Sequence, residues 1–245
     1  MNAPSPEVLR HPDKQATADA AAAQLVSTLA TAQREGREPQ VALTGGSMGS
    51  AIIASVLARP DHADVDWSRV TVWWGDERYL PAGDSERNDT QNDAAGLGSL
   101  GLDPTRVHRV GGPDRAASVE ASAQAYGDLM RQEGGGEFEV VMFGVGPDGH
   151  VASLFPHHPA QRISDRIAVA VHDSPKPPPD RVSLTFEALN HAREVWFLVA
   201  GEDKAQAVAA ALTPGADRWD VPASGVSGGT ATRWFVDEAA AADLS

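Results

Sequence analysis

Five short apolar runs constrain this chain more than any other feature: Val41-Ala-Leu43, Val70-Thr-Val-Trp-Trp74, Phe138-Glu-Val-Val-Met-Phe143, Ile167-Ala-Val-Ala-Val171 and Val195-Trp-Phe-Leu-Val199. They are rich in β-branched and aromatic residues and nearly continuous in apolar character, so each predicts a strand buried on both faces. Stretches of helix formers lie between several of them, at about Met48 to Leu57, Ser118 to Glu133 and Glu202 to Leu212. Ahead of them, the Ala-rich segment from about Asp13 to Glu35 predicts an amphipathic surface helix that closes at Gly36. Doubly buried strands alternating with helices predict an α/β fold, doubly wound, with a mostly parallel sheet and helices on both faces. Gly134-Gly-Gly136 and Pro175-Lys-Pro-Pro-Pro179 read as loops, and neither a repeat nor a linker divides the chain. One domain over residues 1–245 is expected.

In such a sheet the ligand crevice lies outside the carboxyl ends of the strands. The residues just past each strand are therefore the candidates for a site. Thr44-Gly-Gly-Ser47 comes after the first run and opens a helix; Gly75-Asp-Glu-Arg78 comes after the second; Gly144-Val-Gly-Pro-Asp-Gly-His150 after the third; Ala200-Gly-Glu-Asp-Lys204 after the fifth. Glycine, carboxylate, imidazole and cation are thus expected on one rim. Glycines at a helix start suit an anion, because backbone N–H groups of the first turn point at it; an ordinary tight turn with a serine cap fits the same residues. Gly45-Gly-Ser-Met-Gly49 also matches the G-x-S-x-G nucleophile elbow, but that elbow normally comes after several strands and only one is expected before Ser47. Gly144 to Gly149 matches the dinucleotide fingerprint G-x-G-x-x-G, yet the segment after it is stopped by Pro156 after about two turns. No bound nicotinamide cofactor is expected. What remains is a turn presenting Asp148 and His150 near a helix start, with an imidazole suited to act as base and then acid near neutral pH.

Arg78 has the planar fork that suits phosphate, with Asp76 beside it, although Asp-Glu-Arg also fits a surface ion-pair cluster. Lys204 is one of three lysines, with Lys14 and Lys176, and lies in a first helical turn where its charge opposes the helix dipole unless an anion binds there. Arg181 is a further candidate for the same anion. His157 and His158 do not share a helix face with His150 and Pro156 intervenes, so no metal site is expected.

With 20 basic and 34 acidic side chains the net charge is −14, which argues against a general binder of nucleic acid or anionic membrane. Hydrophobic residues at 42 % are enough for a large core, and charged residues at 22 % match globular rather than disordered chains. Cysteine is absent, which removes disulfides, thiolate nucleophiles and Cys-ligated metals. No basic n-region precedes an apolar run, and no stretch approaches the roughly 18 apolar residues of a membrane span. A cytoplasmic protein is expected.

Together, Leu43-Thr-Gly-Gly-Ser47, Trp74-Gly-Asp-Glu-Arg-Tyr-Leu-Pro81, Gly144-Val-Gly-Pro-Asp-Gly-His-Val-Ala-Ser-Leu-Phe-Pro156, Pro177-Pro-Pro-Asp-Arg-Val-Ser-Leu-Thr185 and Gly201-Glu-Asp-Lys-Ala205 resemble the 6-phosphogluconolactonase family. That family lies in the superfamily of glucosamine-6-phosphate deaminases and isomerases. The resemblance runs in order from about Leu43 to Trp234-Phe-Val-Asp-Glu238, and it implies the same doubly wound α/β fold. It implies that His150 is the general base activating water against a sugar-phosphate lactone. Gly45, Gly46, Ser47, Arg78 and Lys204 would form the phosphate site, with Arg181 a further candidate, and Asp76 and Asp148 would orient His150, water or sugar hydroxyls. Backbone N–H groups of the Gly144 to Gly149 turn are the expected oxyanion donors. The implied enzyme needs no cofactor or metal, binds no nucleic acid or membrane, and acts after glucose-6-phosphate dehydrogenase in the oxidative pentose phosphate pathway. Its oligomeric state is open, a monomer being compatible. The deaminase branch has Asn-Glu-Pro where this chain has Leu154-Phe-Pro156. A sugar-phosphate-sensing regulator would need a DNA-binding module, for which the acidic chain and the residues before Val41 leave little provision.

Overall fold

The computed structural model describes residues 4–244. Nine strands succeed one another along these residues: β1 (Glu7–His11), β2 (Gln40–Leu43), β3 (Thr71–Trp74), β4 (Asp76–Arg78), β5 (Val140–Phe143), β6 (Ala168–Val171), β7 (Arg181–Leu184), β8 (Glu194–Val199) and β9 (Ala231–Asp237). The α-helices are α1 (Lys14–Arg34), α2 (Gly46–Ala58), α3 (Asn88–Ala94), α4 (Val119–Gln132), α5 (Phe186–Leu189) and α6 (Ala205–Leu212). Six strands form one parallel sheet in the order β1-β9-β8-β5-β2-β3.

Burial on both faces explains the unbroken apolar runs. In β3, Trp73 points into one hydrophobic cluster with α4, β6 and α6, while its neighbour Trp74 points into the other with α1 and α2. In β5, Val141 and Phe143 join the first cluster and Val140 and Met142 the second. Each side chain points away from its neighbour, so two layers cover the sheet. The first long helix forms as expected: the Asp13 carboxylate accepts the Ala16 N–H at 2.8 Å, and Gly36 takes φ = 81° just past its end. No helix among the described residues is long and apolar enough to cross a membrane.

Two expectations need correction. The Ile167 to Val171 run does form a strand, β6, but it pairs antiparallel with β7, which pairs antiparallel with β4 in a separate three-stranded sheet. The loop 172–180 between β6 and β7 is too short for a parallel crossover. Four further strands, β1, β4, β7 and β9, form outside the five apolar runs. β4 is Asp-Glu-Arg and β1 is largely exposed, so their hydrogen bonding depends on partners distant in sequence rather than on apolar pattern. Two strands, not one, therefore precede Ser47.

The short β4 carries an internal division. Asp76 and Arg78 face one way and Glu77 the other, into a buried ion cluster. Glu77 accepts the N–H groups of Arg78, Asn88 and Asp89 at 2.8, 2.7 and 2.9 Å, anchoring the start of α3. Burial, with the charge of Asp89, pushes the Glu77 carboxyl up to about 7 against the pull of Arg87. Arg87 grips Asp89 at 2.9 and 2.8 Å and donates to the Leu80 and Val110 carbonyls at 2.9 and 2.7 Å. Replacing Arg87→Met removes the buried counter-charge of Glu77 and leaves Asp89 only Arg109, 3.6 Å away, and should lower stability by about 3–5 kcal/mol. Urea unfolding measures this, and an unchanged midpoint would rule out the cluster as a structural strut.

Candidate active site

The carboxyl ends of β2, β3, β5 and β8 open on a cleft of about 350 Å³. It sits where β2 has β3 on one side and β5 on the other, the switch point at which α/β sheets place ligands. Gly75 carries the chain from β3 into the second sheet, donating to the Leu43 carbonyl at 3.1 Å and accepting from the Leu184 N–H at 2.9 Å. The crossing brings Asp76 and Arg78 to the rim.

The turn after β5 holds the imidazole. The Gly146 N–H donates to the His150 carbonyl at 3.0 Å and the Gly149 N–H to the Gly146 carbonyl at 2.9 Å. The ring packs on the bare face of Gly146, where a Cβ would lie 2.0 Å from Nδ1 and 2.3 Å from Asp148 Oδ1. The Phe155 ring lies against it with centroids 4.5 Å apart. Nδ1 is 2.5 Å from Asp148 Oδ1. A carboxylate only accepts, so Nδ1 carries the proton and Nε2 keeps its lone pair. Burial pulls the His150 pKa below 6.5, and Asp148 partly offsets it. Burial also works against the Asp148 charge, but the hydrogen bond and charge of His150, with Lys176 Nζ 3.9 Å away, hold its pKa well below the usual carboxylate range.

No helix succeeds this turn. Val151 and Leu154 form an isolated antiparallel bridge and Ala152 takes φ = 49°, so the expected helix start at His150 is replaced by a tight reversal. The Gly146 and Gly149 N–H groups bond within the turn instead of facing a pyrophosphate, which also removes these two as oxyanion donors.

Across the cleft, the loop after β2 starts α2. Gly46 takes φ = 71°, and its N–H donates to Gln91 Oε1 at 2.8 Å. Ser47 is exposed in the first turn of α2 and has no hydrogen bond to a histidine among the described residues. It therefore lacks the neighbouring base that would activate a serine nucleophile. Asp76 is buried, and its oxygens accept from Ser153 Oγ at 2.6 Å and Asn88 Nδ2 at 3.2 Å. It makes no hydrogen bond to His150, so of the two carboxylates Asp148 is the one that holds the ring. Arg78 lines the cleft and donates to the Glu86 carbonyl. Lys204 closes the turn Glu202–Lys204 ahead of α6, with Nζ 3.1 Å from Asp203 Oδ2.

Arg181 also reaches the cleft, but Nε and Nη2 already donate to the carbonyls of Pro178, Lys176 and Pro177 at 3.2, 2.9 and 3.0 Å. It holds the proline-rich loop in shape. That loop delivers Lys176, a site residue that, like Asn88, no sequence motif marks. Burial, together with the charges of Lys204 and Arg181, lowers the Lys176 pKa against the opposing pull of Asp148. Its scarcity is a visible signal, since two of the three lysines meet in this cleft. His157 instead faces Asp220 at 3.6 Å and His158 bonds the His172 carbonyl at 2.8 Å, both apart from His150.

A family model described as glucosamine-6-phosphate isomerases/6-phosphogluconolactonase matches residues 12–234. The chain belongs to this family. The 6-phosphogluconolactonase of Streptomyces coelicolor is 47 % identical over 98 % of this chain and 95 % of its own length. The one from Mycobacterium tuberculosis is 40 % identical over 95 % and 96 %. Among solved structures, 6-phosphogluconolactonase from Thermotoga maritima matches with a TM-score of 0.83 at 24 % identity, over 95 % of this chain and 100 % of that one. A monomeric glucosamine-6-phosphate deaminase matches with a TM-score of 0.80 at 18 % identity, over 97 % and 99 %. Both solved structures share the fold of this chain.

The His150 geometry makes a direct prediction. Asp148→Asn removes the charge that offsets burial, so the imidazole pKa should fall further below 6.5. An NMR titration of His150 reads this, and a rise would overturn the assigned pairing.

Proposed function

We propose that this chain hydrolyses 6-phospho-D-glucono-1,5-lactone to 6-phospho-D-gluconate, with His150 as general base. The observation that carries the reading is the Nε2 lone pair of a half-buried, Asp148-held imidazole on a cleft that also gathers Arg78, Lys176 and Lys204. The names of the curated relatives support the same reaction. A lactone is an activated ester, so water suffices as nucleophile and no covalent intermediate is needed.

Nε2 takes a proton from water as the oxygen adds to C1, and the carbonyl becomes a tetrahedral oxyanion. The C1–O5 bond then breaks, and the imidazolium returns its proton to O5. Gly146 and Gly149 are engaged within their turn; the cations of the cleft, with Lys176 beside the His150–Asp148 pair, stabilise the oxyanion. The phosphate, held by the Gly45 to Ser47 loop, Arg78 and Lys204, fixes C1 in place and lets remote binding contribute to rate. Arg181 serves by shaping the Lys176 loop. The substrate is the product of glucose-6-phosphate dehydrogenase, which places the reaction in the oxidative pentose phosphate pathway. The deaminase alternative needs a proton-transferring group at position 155, and buried Phe155 supplies none.

The test is a hydrolysis assay on freshly generated lactone, corrected for spontaneous opening; a rate no faster than the blank overturns the proposal. His150→Ala should lower kcat about 100-fold or more while leaving 6-phosphogluconate binding intact. Near-normal turnover would remove His150 as the base. The base works only when neutral, so kcat/KM, which reports the free enzyme, should fall on the acid side with a midpoint below 6.5. Ser47→Ala should chiefly raise KM, whereas a trapped acyl-enzyme in the wild type would favour a serine mechanism.

A further inference from the structure

Two walls of the cleft come from different strands, the glycine loop from β2 and Asp76 from β4, and the side chain of Asn88 touches both. Asn88 begins α3 and is 3 % exposed, with its own N–H fixed by Glu77 Oε1 at 2.7 Å. Its Nδ2 donates to the Asp76 carbonyl at 2.8 Å and to Asp76 Oδ1 at 3.2 Å. Its Oδ1 lies so close to Gly45 that a Cβ there would be 1.9 Å away, nearer than any side chain permits. The second Asp76 oxygen accepts from Ser153 Oγ at 2.6 Å.

Neutral donors therefore hold both Asp76 oxygens. A carboxylate has about four lone-pair sites, so acceptor capacity remains, and Asp76 lines the cleft. Having no bond to His150, Asp76 is not the partner of the base. Its chemistry suits a sugar hydroxyl.

We propose that Asn88 is a positioning residue for the reaction: one amide aims the Asp76 carboxylate at a substrate hydroxyl and, through its contact with Gly45, sets the distance from that carboxylate to the phosphate-binding loop. This rests on the lactonase reading, with a substrate carrying both phosphate and hydroxyls. Asn88 acts on binding geometry, so its loss is read in KM more than in kcat. Glycine at position 45 is required by the same contact, since any side chain would displace the amide.

The experiment is the pH dependence of KM in Asn88→Asp, which keeps the shape of the side chain. Near pH 7.5 the new carboxylate cannot donate to Asp76, and KM should rise about tenfold or more. Two facing carboxylates share a proton more readily than either takes one alone, so the donor returns on acidification and KM should recover toward wild type near about pH 5.5. An unchanged KM, or a rise that is the same at both pH values, overturns the proposal. If this variant does not fold, Asn88→Ala is combined with Asp76→Asn in a double-mutant cycle. The effect of Asn88→Ala on KM should largely vanish in the Asp76→Asn background, and additive effects overturn the proposal. Wild type is assayed alongside. A wild-type chain inert on the lactone overturns the lactonase reading, whereas an active wild type with no Asn88 coupling overturns this inference alone.

Discussion

Parallel pairing of β2, β3, β5 and β8 is the constraint on which the site depends, because it sends four strand ends, and the loops they feed, to one edge. Parallel strands leave their chain at the same end, so residues 44–47, 75–78, 144–150 and 200–204 converge without being close in sequence. The sheet can be buried on both faces only if its strands are apolar throughout. The polar chemistry is therefore pushed out to the rim. At Gly75 the chain leaves that sheet and enters a second, antiparallel one, which closes the cleft from the side with Asp76 and Arg78 on one strand and Arg181 on its neighbour.

Strand alternation divides the Asp-Glu-Arg triplet between two tasks. Asp76 and Arg78 face the cleft, while Glu77 turns into the buried cluster with Arg87 and Asp89. Each arginine is characterised by its environment rather than its type. Arg87 is saturated by carboxylate and carbonyl oxygens inside the protein, and Arg181 is largely engaged in bracing a loop. Arg78 lines the cleft and gives one guanidinium nitrogen to the Glu86 carbonyl. In a chain of net charge −14, this local gathering of cations is what makes an anionic substrate reasonable. The surrounding acidic surface offers no attraction, so capture rests on short-range contacts.

The motifs are legible wherever chemistry coincides with a strand end. His150 and Asp148 can be read from a Gly-Asp-Gly-His turn, and the glycine loop from its place between an apolar run and a helix. The role of Asp76 is not legible, because the residues that hold it, Asn88 and Ser153, come from other segments. Lys176 is visible only as a rare lysine in a proline-rich loop, since nothing in its neighbours shows that Arg181 folds that loop over the cleft. The apparent dinucleotide fingerprint is explained by the same logic: its glycines permit close packing of an imidazole at Gly146 rather than the approach of a pyrophosphate.

By itself the sequence determined the α/β class, the five apolar strands, and the residues at the strand ends, because double burial and tight turns act within a few residues of one another. Only the tertiary structure decided that β6 belongs to a second sheet, that β4 and β7 exist at all, and that Asp148 rather than Asp76 serves His150. Those outcomes depend on hydrogen bonds between segments far apart in the chain, such as the 77 positions separating Asp76 from Ser153. Local pattern carries no information about such partners until the fold has brought them together.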